Sequence, residues 1–351
     1  MNFKQTYLDN LAYAPVPLEV IKVIGEYYSE HIGLAGSFHQ WGRWNKSAME
    51  HFIESIEEPL GCAGIDCAFT LGIKLPKIRK GKTLVSPFEQ PDIMRAIVEY
   101  ERDFINIPLS DWIVDVKWIK KQLEKKDVGL VVISAADRVT GAIQPIERIA
   151  AICNKFDVPF FVDFSTLIGR RRFSVKEYGI RYGYICGRSF GAPCDLIIGN
   201  EPDLTFPLPL AAGFSKAIML LYDTIDETIS YLEELTKYFQ DTIQLHLPHL
   251  IFHGGDNKIS GVLAIAFEDV PRESMILALD MQGVAIRSGD SLAKPIESLI
   301  AAEVPERIAE STLIFAFWHT NNREEIDYVL RVLPPIVDRI RFETDSPKFN
   351  A

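Results

Sequence analysis

The sequence predicts an α/β fold: a large domain with a mainly parallel sheet flanked by helices, and a smaller C-terminal α+β domain. Three observations carry this. The middle of the chain alternates between short apolar runs and stretches with helical spacing. Val128–Ser134 (VGLVVIS) is apolar up to its last residue, as expected of a strand buried on both faces beneath crossover helices. After about His246 the alternation gives way to isolated strands and helices.

In order, Lys46–Leu60 places Met49, Phe52, Ile53, Ile56 and Leu60 at helical spacing, and Val116–Leu123 reads as a second helix. The strand at Val128–Ser134 is followed by Pro145, then Ile146, Ile149, Ala150 and Cys153 at helical spacing. Proline suits a first helical turn because it has no N–H to leave unpaired. Val158–Val162 is the next strand, ending at Asp163, and Tyr182–Cys186 and Leu196–Ile198 are two more. Strand, helix and strand at this spacing predict parallel βαβ units. Ala211–Phe239 is one long helix or two with a break. Beyond it come a strand at Val262–Phe267, a helix at Arg272–Met281 with Met275, Ile276 and Leu279 on its apolar face, a strand at Leu313–Phe317 and a closing helix at Glu324–Arg341. The expected division is residues 14–245 for the large domain and 246–351, with 1–13, for the small one. No internal repeat or low-complexity linker interrupts it.

Composition narrows the function classes. The 351 residues are 48% hydrophobic and 24% charged, enough for a large buried core. With 21 Phe, 12 Tyr and 5 Trp, disorder is excluded as the main state. Against 37 Lys+Arg stand 48 Asp+Glu, a net charge of −11. No electrostatic grip on nucleic acid or a membrane surface is expected. Cys62, Cys67, Cys153, Cys186 and Cys194 are few and odd in number, which argues against a disulfide framework. Met1–Asn10 has no apolar signal core, and the longest apolar candidate, Phe206–Tyr222, is broken by two prolines, Ser215 and Lys216. A soluble, cytoplasmic protein is expected.

Several short motifs follow one another along the chain. Tyr7-Leu8-Asp9-Asn10 with Ala12 and Pro15-Val16 opens it, then Ser37, His39 and Gly42. Gly141, Gln144-Pro145-Ile146 and Val162-Asp163 come next, and Ser288-Gly289 and Glu324-Glu325-Ile326-Asp327 close the series. In this order and spacing they resemble the cysteine desulfurases of the NifS/IscS type, within the class V aminotransferases, over almost the whole length. The resemblance implies the pyridoxal-phosphate (PLP) transferase type I fold and a dimer with active sites at its interface. It also implies an activity that takes sulfur from cysteine, leaves alanine, and passes a persulfide to iron–sulfur or thiolation partners. Two residues are indispensable to such enzymes: a Lys that holds PLP as a Schiff base, and a loop Cys that accepts the sulfur.

The chain departs from that pattern where the chemistry lies. The family's S-G-H-K-x-x-G-P reads here Cys186-Gly187-Arg188-Ser189-Phe190-Gly191-Ala192-Pro193. Gly187 and Pro193 fix the register, so Ser189 stands at the Lys position and Arg188 at the His before it. A serine hydroxyl cannot form an imine. The sulfur loop S-S-G-S-A-C reads Arg287-Ser288-Gly289-Asp290-Ser291-Leu292, with Leu292 at the Cys position. The family's S-G-A-T-E turn opens a helix that binds the cofactor phosphate. Here Phe69–Lys74 runs quickly into a basic stretch, Lys77 to Lys82, so that helix is expected to be missing. Gln90 takes the place of the ring-stacking His, Asp137 that of an Asn near the ring oxygen, Thr166 that of a Gln after the Val-Asp pair, and Ile314 that of the substrate-carboxylate Arg. The R-S-G-T motif has no equivalent around Leu204 to Lys216. Asp163 alone remains of the ring-binding set.

The expectation is a catalytically inactive, desulfurase-like protein without PLP or a metal. It would act as a scaffold, regulator or assembly partner in iron–sulfur or sulfur-transfer metabolism. It would be a homodimer or a heterodimer with an active cysteine desulfurase, with iron–sulfur assembly proteins as further partners. One alternative is PLP-independent chemistry or small-anion binding in the old cleft, with Asp163, Asp137, Arg188 and Ser189. Another is a PLP enzyme with Lys74, Lys216 or Lys294 recruited.

Smaller constellations are read as structural. Cys186 with Cys194, and Cys62 with Cys67, are taken as small buried residues rather than metal ligands. His246, His249 and His253 fall in an irregular loop without a carboxylate or thiol in register. Arg170-Arg171-Arg172 and the Lys77–Lys82 run are taken as solvated loops. Asp163, beyond any relic role, is expected to hydrogen-bond locally at the sheet's C-terminal edge.

Overall fold

In a computed structural model of the chain, residues 5–76, 80–99, 103–287 and 296–345 are described. The first half contains β1 (Thr6–Leu8), α1 (Leu18–Glu30), α2 (Gln40–Leu60), β2 (Cys67–Thr70), β3 (Lys82–Val85), α3 (Pro91–Glu99), β4 (Phe104–Asn106), a hairpin of β5 (Leu109–Ser110) and β6 (Ile113–Val114), α4 (Val116–Leu123), β7 (Val128–Ser134), α5 (Ile146–Phe156) and β8 (Phe160–Asp163). Then come β9 (Tyr182–Ile185), a single 3-10 turn at Gly187–Ser189, β10 (Asp195–Ile198), α6 (Leu208–Asp223) and α7 (Ile225–His246). The last third holds β11 (Leu250–Phe252), β12 (Val262–Phe267), α8 (Arg272–Asp280), β13 (Val284–Ile286), α9 (Glu297–Ala301), α10 (Glu306–Ala309), β14 (Thr312–Ala316) and α11 (Arg323–Asp345).

A seven-stranded sheet in the order β2-β10-β9-β8-β7-β3-β4 forms the centre. From β4 to β9 its neighbours run parallel. Alternate residues of each strand feed opposite faces. Leu84, Val131, Ile133, Val162 and Ile185 join the main core, while Val85, Leu130, Val132, Phe161 and Tyr184 join a smaller core with Ile93 and Ile97 of α3. Burial on both faces explains why these strands read as unbroken apolar runs.

The structure refines several expected elements. β10 is antiparallel to both β9 and β2, so it is not a further βαβ strand; a short apolar run carries no sign of its direction. β8 starts at Phe160 rather than Val158, and Pro159 has no N–H to give a ladder. α2 starts at Gln40, ahead of the expected Lys46, because the His39 side chain accepts from Gly42 N at 3.0 Å. The long segment after residue 207 is two helices, meeting at Thr224 with a 68° bend. The bend moves the chain between cores. Phe214, Ile218 and Leu221 of α6 pack in the main core, and Leu232, Phe239 and Ile243 of α7 in another. Among the described residues, no single helix is long and apolar enough to cross a membrane.

Around that other core lies an antiparallel sheet, β11-β12-β14, with α7, α8 and α11. β1 pairs in parallel with β13, and Leu8 packs in the same core. β12 and β14 are buried on both sides. Val262, Ala264, Ile314 and Ala316 turn to the main core, while Leu263, Ile265, Leu313 and Phe315 turn to the second.

Candidate functional site

In parallel sheets, ligands gather at the C-terminal ends of the strands. Here β7 and β8 end side by side on Ser134 and Asp163. Asp163 is buried, and its Oδ1 accepts from the Ser165 amide at 2.9 Å and from the Ser165 hydroxyl. Its Oδ2 accepts from Nε2 of Gln90. Ser165 Oγ in turn accepts from Cys186 N at 2.8 Å, and Ser189 Oγ donates to Cys186 O at 2.7 Å. A continuous chain of hydrogen bonds thus joins Gln90, Asp163, Ser165 and the turn that carries Ser189.

Glu89 lies beside this chain and is buried. It accepts from Ser86 Oγ, from the Ser134 amide at 2.6 Å and from Ser134 Oγ at 2.8 Å. Burial pushes its carboxyl up to about 7, with the charge of Asp163 adding to the rise and the Ser86 and Ser134 hydrogen bonds opposing it. Burial also raises Asp163, against hydrogen bonds from Ser165 and Gln90 and the more distant Arg138 guanidinium.

The other expected residues have local roles. Asp137 is raised by burial and accepts from the amides of Val139 and Thr140 and from Thr140 Oγ1 at 2.6 Å, which ties it to its own turn. Thr166 is buried. Arg188 turns away from Asp163 and pairs with Asp92 at 2.8 Å, and Asp92 also meets Arg95 at 3.2 Å. Beside that pair is a recess of ≈ 350 Å³, lined in part by Arg95, Tyr184, Cys186 and Asp195. Leu292, with Ser288 to Ser291 and Lys294, lies outside the described residues, as do Lys77 and Arg79. Lys74 is exposed and Lys216 half-buried. No helix occurs between β2 and β3 among the described residues.

The smaller constellations are spread apart. Arg170 is not solvated as expected: it is buried, its Nη1 donates to Ser260 O and Gly261 O at 3.3 Å each, and it lies over the Trp318 ring at 4.9 Å. Burial alone lowers it to about 9. Arg172 pairs with Asp226 at 2.7 Å. Cys67 and Cys62 are buried with their sulfurs 3.7 Å apart. Cys186 is pushed up to about 11 by burial, and Cys194 is raised by the same cause. His246 closes α7, His249 lies 3.7 Å from Glu268, and His253 is buried 3.2 Å from Thr312 Oγ1. Among the described residues, no three of His, Cys, Asp and Glu gather as a metal ion would need.

Sequence reasoning missed Glu89, Ser86, Ser134 and Ser165. The Asp163–Ser165 spacing of two is a local signal for side chain to backbone bonding, and the Ser86–Glu89 spacing of three lets the two side chains meet. Nothing local announces that residue 90 reaches residue 163.

The model of the Aminotransferase class-V family matches residues 104–193 and 205–329. The cysteine desulfurase IscS of Dictyoglomus turgidum is 26% identical over 98% of this chain and 97% of its own. A NifS-like protein from Rickettsia africae superposes with a TM-score of 0.83 at 19% identity, over 95% of this chain and 99% of that one. The apo cysteine desulfurase of Thermococcus onnurineus gives 0.79 at 17% identity, over 96% and 95%. These structures bear out the expected PLP-transferase fold. The matched segments span more than half the sequence and include β4 to β9 and most of the C-terminal third. By that match, the chain belongs to the class V aminotransferase family.

Proposed function

We propose that this chain is a non-catalytic member of its family, a desulfurase-like scaffold, regulator or assembly partner in cytoplasmic sulfur transfer or iron–sulfur assembly. One observation carries the reading. Ser189, in the register set by Gly187 and Pro193, holds the Lys position, and its hydroxyl is committed to Cys186 O at 2.7 Å. It can neither form an imine nor, lacking a base partner, act on a substrate proton.

PLP is the cofactor the family implies, and the residues do not fit it. Asp163 has the chemistry to pair with a pyridine nitrogen, but its Oδ2 is engaged by Gln90. No amine stands at residue 189. Residues 71–76, where a phosphate-binding helix would start, are not helical. The recess beside Arg188 and Arg95 does not favour the alternative of a small-anion site, because both guanidinium groups pair with Asp92, and Glu99 and Asp195 also line it.

The purified protein is therefore expected to be colourless after incubation with PLP and to release no sulfide from cysteine. The double variant Ser189→Lys, Leu292→Cys should remain inactive, because orientation alone contributes about 7–11 kcal/mol of a barrier. A borohydride-trapped PLP–lysine adduct found by peptide mapping would overturn the reading and favour a recruited lysine. Sulfide from the double variant would show instead that the rest of the cleft remains competent and that only these two groups are missing.

Dimerisation is part of the same proposal. Phe38 is 98% exposed, with Tyr13, Leu34, Trp41 and Trp44 each more than half exposed, and exposed apolar side chains that lie together suit an interface. A two-fold partner, either a second copy or an active desulfurase, would cover it. In a mixed dimer this chain would lower its neighbour's activity, having no R-S-G-T segment to reach the neighbour's phosphate. Light scattering over a dilution series should report a dimer. A monomer at micromolar concentration, unchanged by added active desulfurase, would remove both the dimer and its braking role.

A further inference from the structure

We propose that the cleft is closed by a ligand built into the chain: the Gln90 carboxamide occupies Asp163, and a small N–H donor takes its place when that side chain is removed. The inference rests on the non-catalytic reading and goes further, by naming what fills the site and what chemistry it accepts.

Asp163 is 1% exposed. Its two oxygens are served unequally. Oδ1 has the Ser165 amide and hydroxyl, both from the turn that directly follows β8. Among the described residues, Oδ2 has Gln90 alone, which arrives from the far side of β7 and 73 residues away in sequence. A buried carboxyl oxygen without a donor is costly, so the end of β8 depends on one distant side chain.

Gln90 is held for this task. It directly precedes Pro91, the first residue of α3, and its carbonyl accepts from Met94 N at 3.1 Å in the first helical turn. Ile93 and Ile97 anchor the helix in the smaller core. The side chain is itself buried, 5% exposed. The amide is neutral and places one N–H on Oδ2. Beyond Cβ, a glutamine side chain has the atoms of acetamide, so Gln90→Ala leaves a gap of that shape with Asp163 Oδ2 on its wall. The site then favours small neutral or weakly basic molecules carrying an N–H, such as an amide or an imidazole.

The test compares thermal unfolding of the full chain as wild type, Gln90→Ala and Gln90→Leu, each alone and with acetamide or imidazole. Gln90→Ala should unfold at lower temperature, and either molecule should raise its midpoint by about 2 °C or more relative to its effect on wild type. Gln90→Leu fills the space without a donor. It should lose stability as well and show no rescue. Three results would each overturn the inference: rescue absent from a folded Gln90→Ala, an equal response in wild type, or a Gln90→Leu as stable as wild type. A visible cofactor band in the wild-type protein would instead overturn the non-catalytic reading, so the two failures are told apart by colour.

Discussion

Gly187→Ala is expected to destabilise the protein at or beyond the top of the about 1–3 kcal/mol range that an added methyl costs in a packed interior. The reason is contact and not backbone conformation. A Cβ at this position would sit 1.8 Å from the Cys194 carbonyl oxygen, 2.8 Å from its carbon and 3.0 Å from Ala192 O. All of these atoms are backbone, with no flexible side chain to give way. The turn is also tied on every side. Gly187 N donates to Asp195 Oδ1 at 2.9 Å, Gly187 O accepts from Phe190 N and Ala192 N, and Asp195 begins β10 between β2 and β9. Relief would mean moving the start of β10, a strand paired on both sides. Urea unfolding should show a large drop in midpoint with little change in slope. Gly25→Ala is the matched control. It lies within α1 with nothing within 4 Å of the new Cβ, and should stabilise by roughly 0.5–1 kcal/mol through helix propensity.

The second large effect is a dependence of stability on pH, set in the cleft. Glu89 has a folded value of about 7, above its ordinary 4.5, mainly through burial. The folded state therefore holds this proton more tightly than the unfolded chain does. Its contribution is fully present below about 4.5, declines as pH rises, and is gone above about 7. The size is about 3 kcal/mol from the linkage of a shift that large. Asp163 and Asp137 are raised by the same cause and add in the same direction. Glu89→Gln keeps an acceptor for the Ser134 amide and removes the titration. The difference in unfolding free energy between wild type and variant should change steadily between pH 4.5 and 7.5, with the variant gaining relative to wild type as pH rises. A difference constant across that range would show that Glu89 does not carry the effect.

The sequence made the architecture legible where one physical constraint acts locally. β7 and α4 have the bounds that their apolar runs and helical spacing predict, and β12 likewise. α3, the hairpin and the edge strand β4 were not anticipated. β4 has no fully buried residue, and the hairpin turns on Asp111 and Trp112, both at positive φ, where glycine or asparagine would have given the signal. Ser189, Gln90 and Asp163 are singled out in the sequence only by their place in family motifs. Their interplay is not legible there. A glutamine that reaches across a strand to an acid, and a glutamate whose neighbours are serines, are products of tertiary packing with no periodic trace. The same holds for Arg170, which reads as part of a basic run and is buried against Trp318 because Gly261 leaves room for it.

The pair β12 and β14 stands as a party wall, with one core against each side. Such a wall has no outer face. Cutting the chain before β11 would bare Val262, Ala264, Ile314 and Ala316 on one fragment and strip the lining from the other. The molecule is thus indivisible in a practical sense. It does not lend itself to being trimmed to one lobe or shuffled as a cassette.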